Sequence, residues 1–335
     1  MIENIEREYC FVFDETLADL ENYLFQEDIT QIDHICDYYI GKNKRIRIIN
    51  NGKPQLEHKI GDKNSLSRTE KSEEISEYVM QVLLESCDLT VKKQRHTYLK
   101  DGVKYSFDYV SHPMRIGFFE VEFTNGSQID QIFSFMPKGF KACNVGAYNF
   151  FKRKIGICGA PSSGKSETAK NLSFILNTKY EANSFHVIEY ATTFLQKYNR
   201  LPTITDQLFI FDGQLNRELN ASKANIVISD CPVFLSYVYL THINKDELNK
   251  NNAFMLSKLY KKSLFAALGY TDMIFLELLE YRDNGIRYNS SSEALEIQNK
   301  IKNFLDYNNI NYMSATYRDF NKIVDSLLSI NHFKA

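Results

Sequence analysis

The stretch Gly159-Ala160-Pro161-Ser162-Ser163-Gly164-Lys165-Ser166 has the residue types and spacing of G-x-x-x-x-G-K-[ST]. Glycines at both ends let a backbone wind closely around a polyphosphate, so that successive N–H groups point at its oxygens. Lys165 then reaches the terminal phosphates and Ser166 holds a divalent cation, so ATP and Mg²⁺ are the expected ligands. The flanks agree. Lys154-Ile155-Gly156-Ile157-Cys158 reads as a buried strand, and residues 167–176 read as a helix whose N-terminus adds partial positive charge.

Downstream, strands and helices alternate, as in a parallel α/β sheet. Strands are expected at 184–188, 225–229, 272–276 and 311–313, and helices at 206–218, 253–268, 292–307 and 317–328. Ligands of such sheets sit at the carboxyl ends of the strands. Glu189, the phosphate loop and Asp230 all fall there. Asp230 follows Ile226-Val227-Ile228-Ser229 and can order water on Mg²⁺; it can equally cap a helix, since Cys231-Pro232 follow. Glu189 is either a general base for an acceptor hydroxyl or a solvated carboxylate at a helix start. Arg282 and Arg287, in the loop-like run Glu280-Tyr281-Arg282-Asp283-Asn284-Gly285-Ile286-Arg287-Tyr288, are candidates to fold over a transferring phosphoryl group.

The first 125 residues carry a different pattern. Strands are expected at 5–13, 34–39, 44–50, 55–60, 89–99, 104–110 and 117–124, with helices around 16–25 and 73–85, the second capped by Ser72. Asn50-Asn51-Gly52-Lys53-Pro54 and Lys100-Asp101-Gly102 read as hairpin turns. Residues two apart on a strand share a face. That rule pairs Glu6 with Glu8, Arg45 with Arg47, Glu57 with Lys59, Lys93 with Arg95 and Glu120 with Glu122. Phe119, Val121 and Phe123 occupy the opposite, packed face of the last strand. A barrel whose interior mixes carboxylates with cations can hold an anion and a divalent metal together.

These paired charges resemble the CYTH, or triphosphate tunnel metalloenzyme, family, over roughly residues 1–150. The resemblance implies an eight-stranded tunnel in which Glu6, Glu8, Glu120 and Glu122 hold Mg²⁺ or Mn²⁺. Arg45, Arg47, Lys59, Lys93 and Arg95 would grip a triphosphate, with Glu70 and Asp108 as further acids. Cys10 stands where the family's E-x-E-x-K strand has lysine, which bears on hydrolysis more than on binding. The second half is similar to nicotinamide-ribonucleoside-kinase-like P-loop kinases, an AAA-type NTPase domain. The likeness runs through the phosphate loop, Glu189-Tyr190-Ala191, Gln207, Gln214, Arg217-Glu218, Asp230 and the 283–287 lid, where Asn284 interrupts D-G-x-R. It implies that Gln207, Gln214 and Arg217 line an acceptor pocket; helix surface is the alternative for each.

The expected organisation is therefore an α+β antiparallel tunnel barrel over 1–148 and a three-layer α/β P-loop domain with a parallel sheet over 149–335. A hydrophobic content of 44% over 335 residues supports real cores, and a net charge of −2 limits any nucleic-acid contact to a local patch such as 42–63. No apolar run approaches the roughly 18 residues of a membrane span, and the acidic start Met1-Ile2-Glu3 does not resemble a signal peptide. Six scattered cysteines without C-x-x-C point to reduced thiols in a cytoplasmic protein. Expected partners are a nucleotide and a nucleoside, nucleotide or 5′-hydroxyl polynucleotide acceptor, with no membrane. The alternative is a nucleotide switch whose tunnel senses a polyphosphate or an RNA 5′-triphosphate without turnover.

Overall fold

A computed structural model of the chain describes residues 2–13, 15–25, 29–60, 67–123, 147–243, 253–281, 290–328 and 330–331. It divides into two units, which are taken in turn. The first holds Met1–Lys152 together with Thr178–Ala182 and Leu328–Ala335, and the second holds Arg153–Asn177 and Asn183–Leu327. The division thus falls at Lys152/Arg153, and the first unit draws on two later segments.

The strands of the first unit are β1 (Ile2–Phe13), β2 (Gln31–Tyr39), β3 (Lys44–Ile49), β4 (Gln55–Ile60), β5 (Ser67–Glu74), β6 (Leu89–Lys100), β7 (Val103–His112), β8 (Ile116–Glu122) and the short β14 (Ile330–Asn331). Their order is β14-β1-β5-β4-β3-β2-β6-β7-β8. The sheet curls back on itself through β1, which pairs with β5 over Ile2–Arg7 and with β8 over Glu8–Phe13. Apolar residues on the convex face, among them Phe11, Phe107 and Phe119, pack against Leu17 and Leu20 of the helix Leu17–Leu24. Gly117 permits this approach, since a Cβ there would stand 2.6 Å from Leu17 Cδ2.

One segment departs from the sequence expectation. The chain stays extended to Glu74, and the helix that follows is Glu77–Leu84. Its cap is Ser76, whose Oγ accepts from Val79 N at 3.3 Å, rather than Ser72. The reason is pairing: β5 is hydrogen-bonded to β1 on one side and to β4 on the other, and those ladder bonds outweigh a local helical preference.

The second unit contains β9 (Arg153–Gly159), β10 (Ser184–Val187), β11 (Ile226–Ser229), β12 (Asp272–Leu276) and β13 (Met313–Ala315). All are parallel, in the order β10-β11-β9-β12-β13. This is the α/β P-loop arrangement expected, with β9 central and buried from Ile155 onward. Helices Leu235–Ile243 and Ser291–Tyr307 join the sheet in one core through Phe234, Val238, Phe275, Ile301 and Phe304. The helix Ile204–Asn220 begins with a capping box in which Thr203 and Asp206 satisfy each other's backbone N–H groups.

Candidate functional site

In the second unit the site is built on β9. At its end Gly159 takes φ +152°, and a Cβ there would lie 2.5 Å from Leu276 O. Only glycine can make that turn against the neighbouring strand. Ser162 (φ 74°) and Gly164 (φ 88°) bend the loop further, and the helix Lys165–Thr178 begins directly. Lys165 Nζ donates to Ala160 O at 2.8 Å, which lays the ammonium across the loop's own backbone. Ser163 Oγ is fully buried without a hydrogen-bond partner, and Ser166 is exposed on the first helical turn.

Asp230 follows β11, which is the direct neighbour of β9. Its carboxylate is 1% exposed, and neither Oδ1 nor Oδ2 has a hydrogen-bond partner. His186 Nε2 lies 3.1 Å from Oδ2 without hydrogen-bond alignment. Two buried, acceptor-only oxygens that accept no hydrogen bond, on the strand end next to the glycine-rich loop, have the donor chemistry that suits a hard divalent cation.

Cys231 ties the other candidates together. Burial pushes its thiol well above the usual range, and the charges of Glu189 and Asp230 add to this against the opposing pull of Lys165. The charges of Lys165, Glu189 and Asp230 thus all bear on one buried sulfur. Glu189 precedes the helix Tyr190–Tyr198, and its Oε2 accepts from Thr192 Oγ1 at 2.6 Å. The sequence reading missed Cys231; its place directly after Asp230 was the available signal.

Gln214 and Arg217 hold this corner in shape. Gln214 Oε1 accepts from Tyr190 N at 2.7 Å, and its amide donates to Ser229 Oγ at 3.3 Å. Arg217 donates to Ile188 O and Glu189 O at 3.0 and 3.1 Å and stacks on the Tyr190 ring. Gln207 is buried on the same helix. Behind them the Glu218 carboxylate accepts from Ser229 Oγ and Tyr270 OH, each at 2.7 Å, and pairs with Lys154 Nζ at 2.7 Å. Arg282 and Arg287 lie outside the described residues.

The concave face of the first unit is defined by register. Cα partners on neighbouring strands share a face, and Glu122↔Glu8, Ser106↔Glu120, Arg95↔Asp108, Asp37↔Arg47, Arg45↔Glu57 and Lys59↔Glu70 run round the curl. Glu8, Cys10, Arg45, Arg47, Lys59, Glu70, Lys93, Arg95, Asp108, Glu120 and Glu122 thus point into one charged interior; the side chain of Glu6 lies outside the described residues. Asp37, which the sequence reading missed, is its hub. It receives Arg47 Nε and Nη2 at 2.7 and 2.9 Å and faces Arg45 Nη1 at 3.5 Å. Burial alone would raise its pKa, but the two guanidiniums win and hold it far below the carboxylate range.

A second knot forms around Asp108, which accepts from Arg95 Nε and Nη2 at 2.6 and 2.7 Å and from Lys93. Arg95 also bonds Glu120, and Glu122 accepts from Lys104 at 3.0 Å. Arg45 Nε reaches Glu57 at 2.7 Å, and Lys59 stands 3.9 Å from Glu8. Burial, then the Arg95 charge, lowers the pKa of Lys93. Among the described residues no three His, Cys, Asp or Glu side chains cluster as a metal site. Of the acids expected to hold a metal in the lumen, Glu8 stands 3.9 Å from Lys59, Glu120 accepts from Arg95 and Glu122 accepts from Lys104.

The sequence model of the AAA domain family matches residues 154–321, half of the chain. The chain belongs to the AAA domain family. A search of curated proteins by sequence gives no match. Among solved structures, a conserved hypothetical protein from Pyrococcus furiosus is similar at 18% identity, covering 40% of this chain and 94% of that one, with a TM-score of 0.30. A NadR protein in complex with NAD and AMP-PNP is similar at 16% identity with a TM-score of 0.43; the alignment covers 55% of this chain and 52% of NadR. A putative adenylate cyclase from Bacillus halodurans is similar at 17% identity, covering 40% of this chain and 88% of that one, with a TM-score of 0.29. The AAA domain thus occupies the second unit, joined to an antiparallel curled sheet. No helix among the described residues is long and apolar enough to cross a membrane.

Proposed function

We propose that this chain is a two-site phosphate-handling enzyme: a Mg·ATP-dependent phosphotransferase in the AAA domain, and a lumen in the curled sheet that binds a triphosphate. The observation that carries the first part is Asp230, a buried carboxylate whose oxygens accept no hydrogen bond, directly after the strand that neighbours β9. Ser166 and Asp230 would hold the metal, which when bound neutralises charge on the transferring phosphoryl group. The loop's backbone N–H groups and Lys165 bind and orient the phosphates. Glu189, positioned by Thr192, accepts the proton of the acceptor hydroxyl as that oxygen attacks phosphorus. Arg282 and Arg287 belong to the lid of this proposal. The acceptor class is a nucleoside, nucleotide or polynucleotide 5′-hydroxyl.

In the lumen, Arg45, Arg47, Lys59, Lys93 and Arg95 supply the cations for a triphosphate. A second reading, a nucleotide switch with a non-hydrolysing phosphate sensor, is favoured by the ion pairs that already engage those cations and by Cys10 in the interior. The test is γ-labelled ATP with pooled nucleosides and 5′-hydroxyl oligonucleotides, alongside tripolyphosphate binding. Lys165→Ala is expected to abolish transfer and spare tripolyphosphate binding; Glu120→Gln is expected to do the reverse. Loss of both activities in a folded single variant overturns the two-site reading, and nucleotide binding without any transfer favours the switch.

A further inference from the structure

The helix Ala253–Leu268 buries one side only. Leu259, Ser263 and Ala267 are buried, and Met255 and Leu256 pack with Leu259 against Ile204, Phe211, Val233 and Leu240. On the other side Phe254, Lys258, Lys261, Phe265 and Leu268 recur at spacings of four and three, which sets them in one line along the helix. All five are exposed, Phe254 at 79% and Phe265 at 82%. At 1.5 Å per residue the two phenylalanines stand about 16 Å apart along the axis, with both lysines between them. Among the described residues neither Lys258 nor Lys261 has an ion-pair or hydrogen-bond partner, whereas Lys262 beside them stands 3.6 Å from Asp212. Tyr260 OH donates to Asn308 Oδ1 at 2.5 Å, which brings the end of the helix Ser291–Tyr307, with the exposed ring of Tyr307, beside the middle of this one.

The line runs ring, cation, cation, ring, and that order decides what can cover it. A bilayer surface takes a helix whose apolar residues form one face and whose lysines flank it. Sinking Phe254 and Phe265 here would drag Lys258 and Lys261 below the headgroups, where a charge is costly. A protein partner would have to desolvate two uncompensated lysines at the centre of the contact, where lysine is depleted. A single-stranded nucleic acid offers what the line needs: flat base faces for the rings, and phosphates between them for the ammonium groups. A duplex keeps its bases stacked on one another and offers its phosphates alone.

We infer that this face of the AAA domain is a docking surface for single-stranded nucleic acid. Met255 and Leu259 share a cluster with Val233, just after Asp230 at the carboxyl end of β11. The Phe254 end of the line therefore lies towards the edge of the sheet that carries Asp230 and the phosphate loop. Its role as a substrate surface rests on the phosphotransferase reading: of the acceptors named above, the polynucleotide end is the one this face delivers.

Fluorescence anisotropy of a labelled 5′-hydroxyl single strand of about 12 nucleotides, with the full chain and no ATP, reads the docking. The strand carries no triphosphate for the first unit to bind. Phe254→Ala and Phe265→Ala are each expected to weaken binding about tenfold and to leave the slope of log affinity against log salt unchanged. Lys258→Gln with Lys261→Gln should weaken binding and reduce that slope by about 1.4, at roughly 0.7 per phosphate contact on a single strand. The four side chains are exposed, so each variant should keep the native melting temperature. The matching duplex should bind at least about tenfold more weakly than the single strand. With labelled ATP, the phenylalanine variants should raise KM for the oligonucleotide about tenfold and leave kcat unchanged.

Unchanged strand binding in these variants, or duplex binding as tight as single-strand binding, overturns the inference. So does binding to phosphatidylserine vesicles, or concentration-dependent dimerisation, that Phe254→Ala and Phe265→Ala abolish while strand binding persists. Strand binding that the variants weaken, in a protein that transfers phosphate to no acceptor, upholds the docking surface and overturns the phosphotransferase reading alone.

Discussion

Asp37→Asn is the most searching perturbation of the charged interior, because it removes a charge and almost no volume. In the native chain one carboxylate, 1% exposed, answers Arg47 through two hydrogen bonds at 2.7 and 2.9 Å and Arg45 at 3.5 Å. The asparagine leaves two buried guanidiniums short of a counter-charge, a loss of about 3–5 kcal/mol. For a unit of this size that corresponds to a fall in melting temperature of about 6–20 °C, at roughly 2–4 °C per kcal/mol. The acid range supplies a sign check. The carboxyl is held below its unfolded value of about 3.9, so its contribution is present above that pH and lost as pH falls through the folded value. The stability gap between native chain and variant should therefore be widest near neutrality and shrink below about pH 4. Thermal melts across pH, with and without tripolyphosphate, make the measurement. A polyanion should restore more stability to the variant than to the native chain, since it answers the two freed guanidiniums. A melting shift under about 2 °C, or equal tripolyphosphate shifts in both proteins, would refute the reasoning.

Three further outcomes follow from the second unit and the thiols. Gly159→Ala places a Cβ 2.5 Å from Leu276 O at φ +152°, so it should cost about 1–3 kcal/mol and remove the nucleotide-induced thermal shift; an unchanged shift contradicts the loop geometry. Glu218→Gln strips the ion pair from Lys154 and weakens the bonds to Ser229 and Tyr270, which should cost about 3 kcal/mol. Burial and Glu218 hold the Tyr270 phenol well above its usual pKa, so the same variant should lower it, as ultraviolet titration would read. Burial pushes Cys158 up to about 12 and Cys231 well above the usual thiol range. Alkylation near pH 8, about half a unit below an ordinary thiol pKa, should therefore label the half-buried Cys36 and Cys87 well before either. Equal labelling rates would show that burial does not hold Cys158 and Cys231 protonated.

How far the sequence carried is best seen residue by residue. The tight loop after β9 was legible because its backbone demands glycine at Gly159 and Gly164, and both survive as letters at a fixed spacing. The interior charges were legible because two-residue alternation survives when charged and apolar faces contrast, as on β8. β5 was not legible, since Ser-Arg-Thr-Glu-Lys-Ser-Glu-Glu is polar on both faces: one meets the charged interior and the other meets solvent. Asp37 was hidden for the opposite reason, as a lone acid in a run of apolar and aromatic residues with no charged neighbour two positions away. The helix Leu235–Ile243 shows no period because much of it is buried, Leu235, Val238 and Leu240 among the innermost residues, and such a helix has no polar stripe to reveal it. Gln214 was named as a pocket residue, but its bonds to Tyr190 N and Ser229 Oγ are made between distant segments, which spacing along the chain does not encode.

The pairing of β14 with β1 has a consequence for how the protein is made. Val12 and Phe13 find their parallel partners in Ile330 and Asn331, so the amino-terminal unit draws a ladder segment from the far end of the polypeptide. During synthesis that edge must wait, unpaired, while the whole AAA domain emerges from the ribosome. Fragments cut after Lys152 should therefore be more prone to strand-edge association than the intact chain, and expression of the first unit by itself calls for a grafted β14 segment.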